Sequence, residues 1–114
     1  MPENEMKQLH QLADLMLAIE QSMRAADLWH ANAPSPAAMA SRTPFCADTL
    51  DFSEWLQFVF IPRMREIIEH NGELPGASAI APLAEEALAE QPGKQAVVDR
   101  LREFDRAISG TDPA

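Results

Sequence analysis

The chain has 114 residues, of which 46% are apolar and 24% charged, so the sequence predicts one globular domain over residues 1–114 and excludes global disorder. Its formal net charge of −9 excludes direct nucleic-acid binding through clustered lysines and arginines, because such binding requires neutralisation of phosphates. No apolar run is long enough to span a membrane, and the N-terminus lacks the features of a signal peptide, so a cytoplasmic location is expected.

The first predicted helix runs from about Asn4 to about Leu28. Apolar residues recur along it at steps of three and four, which places them on one face of a helix. These residues are Leu9, Leu12, Met16, Ile19, Met23 and Ala26. Asn4 is the expected cap, and Pro34 prevents the helix from continuing. The stripe has coiled-coil spacing, so a homo-oligomer through this helix is one interpretation, and packing inside the bundle is the simpler one.

A long connection over residues 33–50 follows, and it contains three prolines. Loops of this length are uncommon in compact domains unless they are functional or disordered. Residues 37–40 favour a short helical turn, while Phe45 and Leu50 indicate that the second half of the connection packs against the rest of the domain.

The second predicted helix begins with a capping box, in which Asp51 and Glu54 stand three residues apart. The run that follows is apolar nearly all round, which predicts a central, buried helix. Its apolar members are Phe52, Trp55, Leu56, Phe58, Val59, Phe60 and Ile61. Pro62 removes one backbone donor, so we expect a kink there, or a stop and restart of the helix. Asn71 and Gly72 predict the end of this helix.

A third helix is expected from about Ser78 to Glu90, with Pro82 in its first turn. Glu85, Glu86 and Glu90 are predicted to be exposed on it. This acidic face is interpreted as a solvated surface or, more weakly, as a docking face for a basic partner.

A fourth helix is expected to begin at Pro92 and to end at Gly110. Its outer face is expected to hold three ion pairs, Asp99–Arg102, Arg102–Asp105 and Glu103–Arg106. The ends of the chain, at about 1–4 and 110–114, are expected to fray.

Together these elements predict an all-α fold, a four-helix bundle with a long loop between helices 1 and 2 and a proline kink in helix 2. No strand is expected. The second helix is expected to be the most buried of the four, with Trp55 as its anchor in the core.

Residues that carry chemistry are scarce in this sequence. His10, His30 and His70 lack a second ligand at metal spacing, and Cys46 is the only cysteine, so we expect no metal site, cofactor or disulfide. The glycines form no phosphate loop, and the serines lie in no nucleophile elbow. The sequence therefore predicts no catalytic residue.

Three polar residues interrupt the apolar region around Trp55, namely Asp48, Gln57 and Arg63. Buried polar groups need partners, so Gln57 is either paired inside the protein or directed at a site. On an ideal helix Gln57 and Arg63 lie roughly 120° apart, so they share a face only if Pro62 bends or breaks the helix. The functional interpretation is a polar rim around Trp55 at which a partner or ligand binds. In the alternative, Asp48 makes local bonds and Arg63 lies on the surface.

The segment 45–82 also carries a recognisable set of residues. They are Phe45, Asp48, Thr49, Glu54-Trp55-Leu56-Gln57, Ile61-Pro62-Arg63-Met64, Leu74-Pro75-Gly76-Ala77 and Ala81-Pro82. This set resembles the YqcC-like family of small bacterial helical proteins, over roughly residues 5–108. Phe58 stands where that family often has tryptophan.

The resemblance implies a helical bundle, and it brings no known reaction, cofactor or catalytic residue. Members of the family are often linked by name or genomic setting to a tRNA pseudouridine synthase. The resemblance therefore implies an accessory to such an enzyme. The synthase itself needs a catalytic aspartate on a much larger mixed α/β fold, which this chain does not supply.

Two functions from different classes follow. The first is a non-catalytic protein-interaction or accessory module with a protein partner, associated with a tRNA-modifying enzyme such as a pseudouridine synthase. The alternative is a small-molecule-binding bundle or weak enzyme, with a pocket where the 33–50 loop meets Pro62. A concave aromatic pocket with polar groups at that place would favour the alternative, and a solid core would exclude it.

Overall fold

The computed structural model describes residues 3–70, 72–74 and 76–109, and within these ranges the chain is helical and has no strand. Its helices are α1 (Glu3–Ala25), α2 (Pro36–Met39), α3 (Phe52–Trp55), α4 (Ile61–Glu69), α5 (Ile80–Ala87) and α6 (Lys94–Ser109). A π-turn (Leu56–Phe60) joins α3 directly to α4, so these three segments form one continuous central helix. A 3₁₀ turn (Pro44–Cys46) lies in the long connection. The all-α prediction is confirmed, with α2 as a short additional helix.

Several predictions concern the ends of elements. Glu3 and Asn4 already belong to α1. The cap by the Asn4 side chain, the Asn71 signal, the stop at Gly110 and the fraying at 1–2 and 110–114 fall outside the described residues and side chains.

The hydrophobic core lies where α6 packs against both α1 and α5, and where α4 packs against α1. Five of the six predicted stripe residues of α1 are buried in it: Leu12, Met16, Ile19, Met23 and Ala26. The stripe is therefore used inside the chain, which agrees with the simpler interpretation. Self-association through α1 stays a prediction.

α1 ends three residues earlier than predicted, because the backbone turns at Asp27. Asp27 adopts a left-handed conformation with φ 61°. The amide of Leu28 donates to the Met23 carbonyl at 2.8 Å, and the amide of Asp27 donates to the Arg24 carbonyl at 3.2 Å. These two bonds form a Schellman motif, in which the buried Leu28 and Met23 supply the usual apolar contact.

The central helix begins as predicted and then departs from regular α geometry before Pro62. The amide of Asp51 donates to the Glu54 carboxylate at 2.9 Å, as the capping box requires. Further on, the Ile61 amide donates to the Leu56 carbonyl, five residues back. Because Pro62 has no amide hydrogen, the ladder loses a bond there, and the chain accommodates the loss with one wide turn. The interruption at Pro62 is therefore a π-turn within a continuous helix.

The prediction that the central helix is the most buried of the four is wrong, because it is buried on one side only. Leu56, Phe60 and Ile61 are buried, whereas four other apolar residues are only half-buried. These are Phe52, Trp55, Phe58 and Val59. The neighbouring elements cover one side of this helix, which contributes four buried residues to the core, whereas α1 and α6 contribute five each. Trp55 therefore packs on the edge of the core and is not an internal anchor.

α5 begins at Ile80, two residues later than predicted, and its start is capped from another helix. The Asp105 carboxylate of α6 accepts from the Ile80 amide at 3.0 Å and from the Ala81 amide at 2.8 Å. It also accepts from the Ser78 hydroxyl at 2.6 Å. The predicted Arg102–Asp105 pair is thus replaced by a cap, because a carboxylate at a helix N-terminus satisfies free amides and interacts favourably with the helix dipole.

α6 begins at Lys94, and the predicted start at Pro92 is wrong by two residues. Gly93 has φ +81°, outside the helical region, and a Cβ added there would lie 3.2 Å from the Ala26 Cβ. A glycine is needed at this position both for the conformation and for the close approach. The neighbouring Gln91 side chain donates to the Ala26 carbonyl at 3.0 Å, which ties the start of α6 to the end of α1.

Ion pairs lie on the surface and partly differ from those predicted. Arg102 pairs with Asp99 at 3.5 Å, as predicted, and also with Glu85 of α5. Glu103 pairs with Arg100 at 3.1 Å, where a pair with Arg106 was expected.

Glu20 of α1 binds two arginines, of which Arg65 belongs to α4 and links the two helices, whereas Arg24 belongs to α1 itself. Its carboxylate accepts from Arg24 and from Arg65, both at 3.0 Å. Burial raises the pKa of Glu20, but the hydrogen bonds and positive charges of Arg24 and Arg65 outweigh burial and hold that pKa below its ordinary value.

Replacing Asp105 with Ala is expected to lower the free energy of unfolding by about 2–3 kcal/mol, because two amides and a hydroxyl lose their acceptor. Urea unfolding followed by circular dichroism measures this. Asp99→Ala is the matched control on the same helix, because it removes a partly exposed carboxylate whose partners Gln95 and Arg102 lie on the surface, and the change is expected to stay within about 0.5 kcal/mol. Equal losses for the two variants would contradict the capping role.

Replacing Glu20 with Gln is expected to lower the free energy of unfolding near neutral pH by roughly 0.5–1 kcal/mol. Because the pKa of Glu20 is lower in the folded state, its contribution is complete above the unfolded value of 4.5 and is lost as pH falls through the folded value. Urea unfolding at a series of pH values should therefore show the two proteins converging in acid.

The control for this pH series is Glu66→Gln, an exposed carboxylate of α4 without an ion pair among the described residues. Its stability is expected to parallel that of the unchanged protein. A constant difference between the Glu20→Gln protein and the unchanged protein at every pH would show that the ion pairs are not its cause.

Candidate functional site

A groove of about 360 Å³ opens beside the central helix, where the long connection meets the residues around Pro62. Its wall comes from the 3₁₀ turn, the central helix, the segment leading into α5, and α6. The lining residues are Phe45, Trp55, Phe60, Arg63, Met64, Ile67, Ala77, Ser78, Ala79, Ile80 and Phe104. The pocket therefore lies where the sequence analysis expected one, and its volume is in the range of ligand sites.

A cluster of aromatic rings forms one part of the groove wall. The Trp55 ring lies between Phe45, at a centroid distance of 4.8 Å with near-perpendicular planes, and Phe60, at 5.5 Å with the planes 30° apart. Phe52 lies 6.0 Å from Trp55, and Phe60 meets Phe104 edge-on at 4.9 Å. These distances are those of favourable aromatic pairs, so the wall is a packed apolar surface.

Phe45 reaches this cluster through an uncommon backbone conformation. It has φ 60° and Cys46 has φ 51°, both in the left-handed region that non-glycine residues rarely adopt. The turn is held by the Cys46 amide, which donates to the Thr43 carbonyl at 2.9 Å, and by the Leu50 amide, which donates to the Cys46 carbonyl at 2.8 Å. The Phe45 side chain stays 39% exposed, so one side of its ring faces the open groove.

The π-turn brings Trp55 and Arg63 to the same face of the central helix. Eight residues separate them, which on a regular helix corresponds to roughly 80°. A π-turn inserts one residue without advancing the helix, which reduces that angle to roughly 20°. Both side chains therefore border the same groove.

Gln57 does not line the groove, and its side chain is hydrogen-bonded to the backbone of His30. Its side-chain amide donates to the His30 carbonyl at 2.9 Å, and its side-chain oxygen accepts from the His30 amide at 2.7 Å. The His30 ring also shares a hydrogen bond of 2.8 Å with the Ser53 hydroxyl. Gln57 is thus paired inside the protein, where it holds the chain after α1 against the central helix.

Among the described residues, Asp48 makes no hydrogen bond to Gln57 or Arg63. It is exposed in the long connection and accepts from the Ser41 hydroxyl at 2.6 Å. This hydrogen bond lowers the pKa of the Asp48 carboxyl. Neither Asp48 nor Gln57 lines the groove, so the structure does not form the shared polar rim that the sequence suggested.

The three predicted docking glutamates, Glu85, Glu86 and Glu90, are exposed as expected. Glu85 makes an ion pair with Arg102, and all three lie outside the groove lining. Among the residues described, no group of three or more histidines, cysteines or carboxylates could hold a metal ion. No helix within the described ranges is long and apolar enough to cross a membrane.

Sequence reasoning missed several residues of the groove. Phe104 lies within the fourth predicted helix and Ser78 at the start of the third, but neither was connected to Trp55. Both are distant from Trp55 along the chain, so no local spacing could place them together. The contact that brings them together is the Asp105 cap, which places the start of α5 on α6 and joins residues 24 to 27 positions apart, so the sequence carries no local signal for it.

Comparison with known proteins finds relatives over most of the chain. A family model described as tRNA pseudouridine synthase C matches residues 11–107. The uncharacterised protein YqcC of Escherichia coli is 38% identical over 89 residues, which are 77% of this chain and 82% of that protein. An uncharacterised protein of Haemophilus influenzae is 44% identical over 69 residues, which are 60% of this chain and 65% of that protein.

Two further matches concern the fold and a longer protein. The solution NMR structure of E. coli YqcC superposes with a TM-score of 0.79 at 32% identity, covering 94% of this chain and 91% of that one. A Pectobacterium carotovorum protein named tRNA pseudouridine synthase C is 34% identical over 70 residues. Those residues are 61% of this chain but only 19% of that protein.

Replacing Gln57 with Ala is expected to lower the free energy of unfolding by about 2–3 kcal/mol, because the His30 amide and carbonyl lose their partners. The midpoint of urea unfolding reports this loss. Gln95→Ala removes the same side chain from an exposed site on α6 and is expected to change stability by less than about 0.5 kcal/mol. A small loss at Gln57 would mean that its side chain is free to serve a ligand instead.

Proposed function

Since the chain belongs to the YqcC-like family of small helical proteins, we propose that it is a non-catalytic accessory module that binds a tRNA pseudouridine synthase. The matching family model carries the name of that enzyme. The relatives that the chain matches over most of their length carry no named activity.

The observation that carries the proposal is the match to the Pectobacterium protein. A sequence like this one forms about a fifth of a protein named tRNA pseudouridine synthase C. Two parts of one polypeptide stay together at a high effective concentration, whereas separate chains must bind one another to work together. A separate chain of this family would therefore need a surface for the enzyme, and the aromatic groove offers one.

Charge supports contact with the enzyme in preference to contact with the tRNA. The net charge of −9 opposes the approach of a polyanion, so the chain would bind the protein component of the complex. Glu85, Glu86 and Glu90 would add a weak electrostatic attraction to the basic surface that an enzyme presents to tRNA. A tRNA-modifying partner also accounts for the expected cytoplasmic location.

A second function, a small-molecule-binding bundle, is favoured by the shape of the groove. The groove is concave and aromatic, and Arg63 and Ser78 supply two polar groups at its edge. Small-molecule sites share this composition. In this function the ligand itself would fill the groove, and no protein partner would be required.

Affinity purification of this chain at native expression tests the first function. We expect a tRNA pseudouridine synthase to be recovered, and to be retained after nuclease treatment, because the contact is between proteins. The recovered enzyme and this chain, mixed as purified proteins, should then form a complex with a dissociation constant of about 1 μM or tighter. Failure of the two purified proteins to bind, with and without tRNA, would refute the accessory function.

A further inference from the structure

We propose that the groove binds a short segment of the partner synthase in which a bulky apolar side chain stands next to a carboxylate. The apolar side chain would lie in the groove against the rings of Phe45 and Trp55, and Arg63 would bind the carboxylate. This inference rests on the proposed function for the identity of the partner, and on the groove for the chemistry of the segment.

The apolar part of the proposal follows from the exposed aromatic surface. Phe45 is 39% exposed, and Trp55 is half-buried beside it, so both rings present area that a ligand can remove from water. A left-handed backbone at Phe45 holds its ring on the groove wall. The space of about 360 Å³ is concave and is large enough to enclose a leucine, phenylalanine or tryptophan side chain.

The acidic part follows from Arg63, which is the one charged side chain among the described residues that line the groove. Four other arginines bind carboxylates of this chain: Arg24, Arg65, Arg100 and Arg102. Within the described residues Arg63, like Arg42 and Arg106, makes no ion pair and no side-chain hydrogen bond, but of these three only Arg63 lines the groove. Asp105, which binds the groove residue Ser78, also accepts from the Ile80 and Ala81 amides and does not line the groove.

Arg63 is therefore a guanidinium placed at the edge of an apolar wall, without an internal partner among the residues described. Such a group binds a carboxylate through two parallel hydrogen bonds, and the bond is strengthened where the neighbouring surface excludes water. The π-turn fixes the position of the guanidinium relative to the aromatic wall, because it sets Trp55 and Arg63 on the same face of the central helix. Charge complementarity thus selects an acidic segment for this groove in spite of the net negative charge of the chain.

Two probes separate the chemistry of the groove from the identity of the partner. N-acetylphenylalanine carries a ring and a carboxylate, and N-acetylphenylalaninamide carries the same ring without the charge. In nuclear magnetic resonance titrations of the full chain, both should shift the Trp55 indole and the amides of residues 77–80, and the acid should bind about tenfold more tightly. In Arg63→Ala that tenfold preference should disappear.

The variant Arg63→Glu should also weaken binding of the synthase at least tenfold. Arg42→Glu is the matched control, because Arg42 is exposed, lies outside the groove lining, and undergoes the same change of charge. Both positions are exposed, so both variants are expected to keep the fold, which circular dichroism checks. Equal weakening by the two variants would indicate a general charge effect and overturn the assignment of Arg63.

The outcomes distinguish this inference from the proposed function. Binding of the synthase that is unaffected by Arg63→Glu would leave the accessory function in place and refute the groove as the docking site. Preference of the groove for the acid probe without any binding of the synthase would refute the accessory function and assign the same chemistry to a small carboxylate ligand. Probe shifts outside the groove, or equal affinity for the two probes, would refute the inference directly.

Discussion

The lack of a backbone hydrogen on Pro62 is the constraint on which the candidate site depends. A regular α-helix through this position would leave a carbonyl without its donor and would press the proline ring against the preceding turn. Instead the helix contains a π-turn before Pro62, in which the Ile61 amide donates a hydrogen bond to the Leu56 carbonyl. The extra residue of that turn rotates the following side chains around the helix axis. Arg63 and Met64 therefore line the same groove as Trp55 and Phe60.

Side-chain hydrogen bonds between distant segments hold the parts of the chain that have little regular structure of their own. Gln57 binds both backbone groups of His30, and Gln91 binds the carbonyl of Ala26. Each bond satisfies backbone groups at a point where a helix has ended, which a domain with a small core cannot leave unpaired. The long connection uses the same device, since the Thr49 hydroxyl donates to the Ala38 carbonyl at 2.6 Å.

Features that depend on local spacing could be read from the sequence, and features that join distant residues could not. The Asp51 capping box needs only a residue three positions away, and the predicted box is present. The stripe of α1 was likewise visible as a period. Asp105 was misassigned because its partners lie 24 to 27 residues away, and on its own helix an arginine three positions off looked equally suitable.

The candidate site shows the same division. The position of the groove near Pro62 was predictable, because a proline inside an apolar helix and a long loop before it both indicate irregular packing. The sequence could not show which polar side chains face the groove, because the π-turn rotates the residues that follow it around the helix axis. Gln57 was expected to be paired or aimed at a site, and only the structure shows that His30 takes both of its functional groups.

The cap that Asp105 places on α5 makes two helices into one cooperative unit. An eight-residue helix is too short to persist alone in water, so α5 forms only while the end of α6 is folded beneath it. Local opening of the last turns of α6 would release Ser78 and Ile80, and with them one wall of the groove. We therefore expect the amide protons of α5 and of the end of α6 to exchange as one unit. A ligand that binds the groove only while this wall is formed is expected to raise the protection of both helices together.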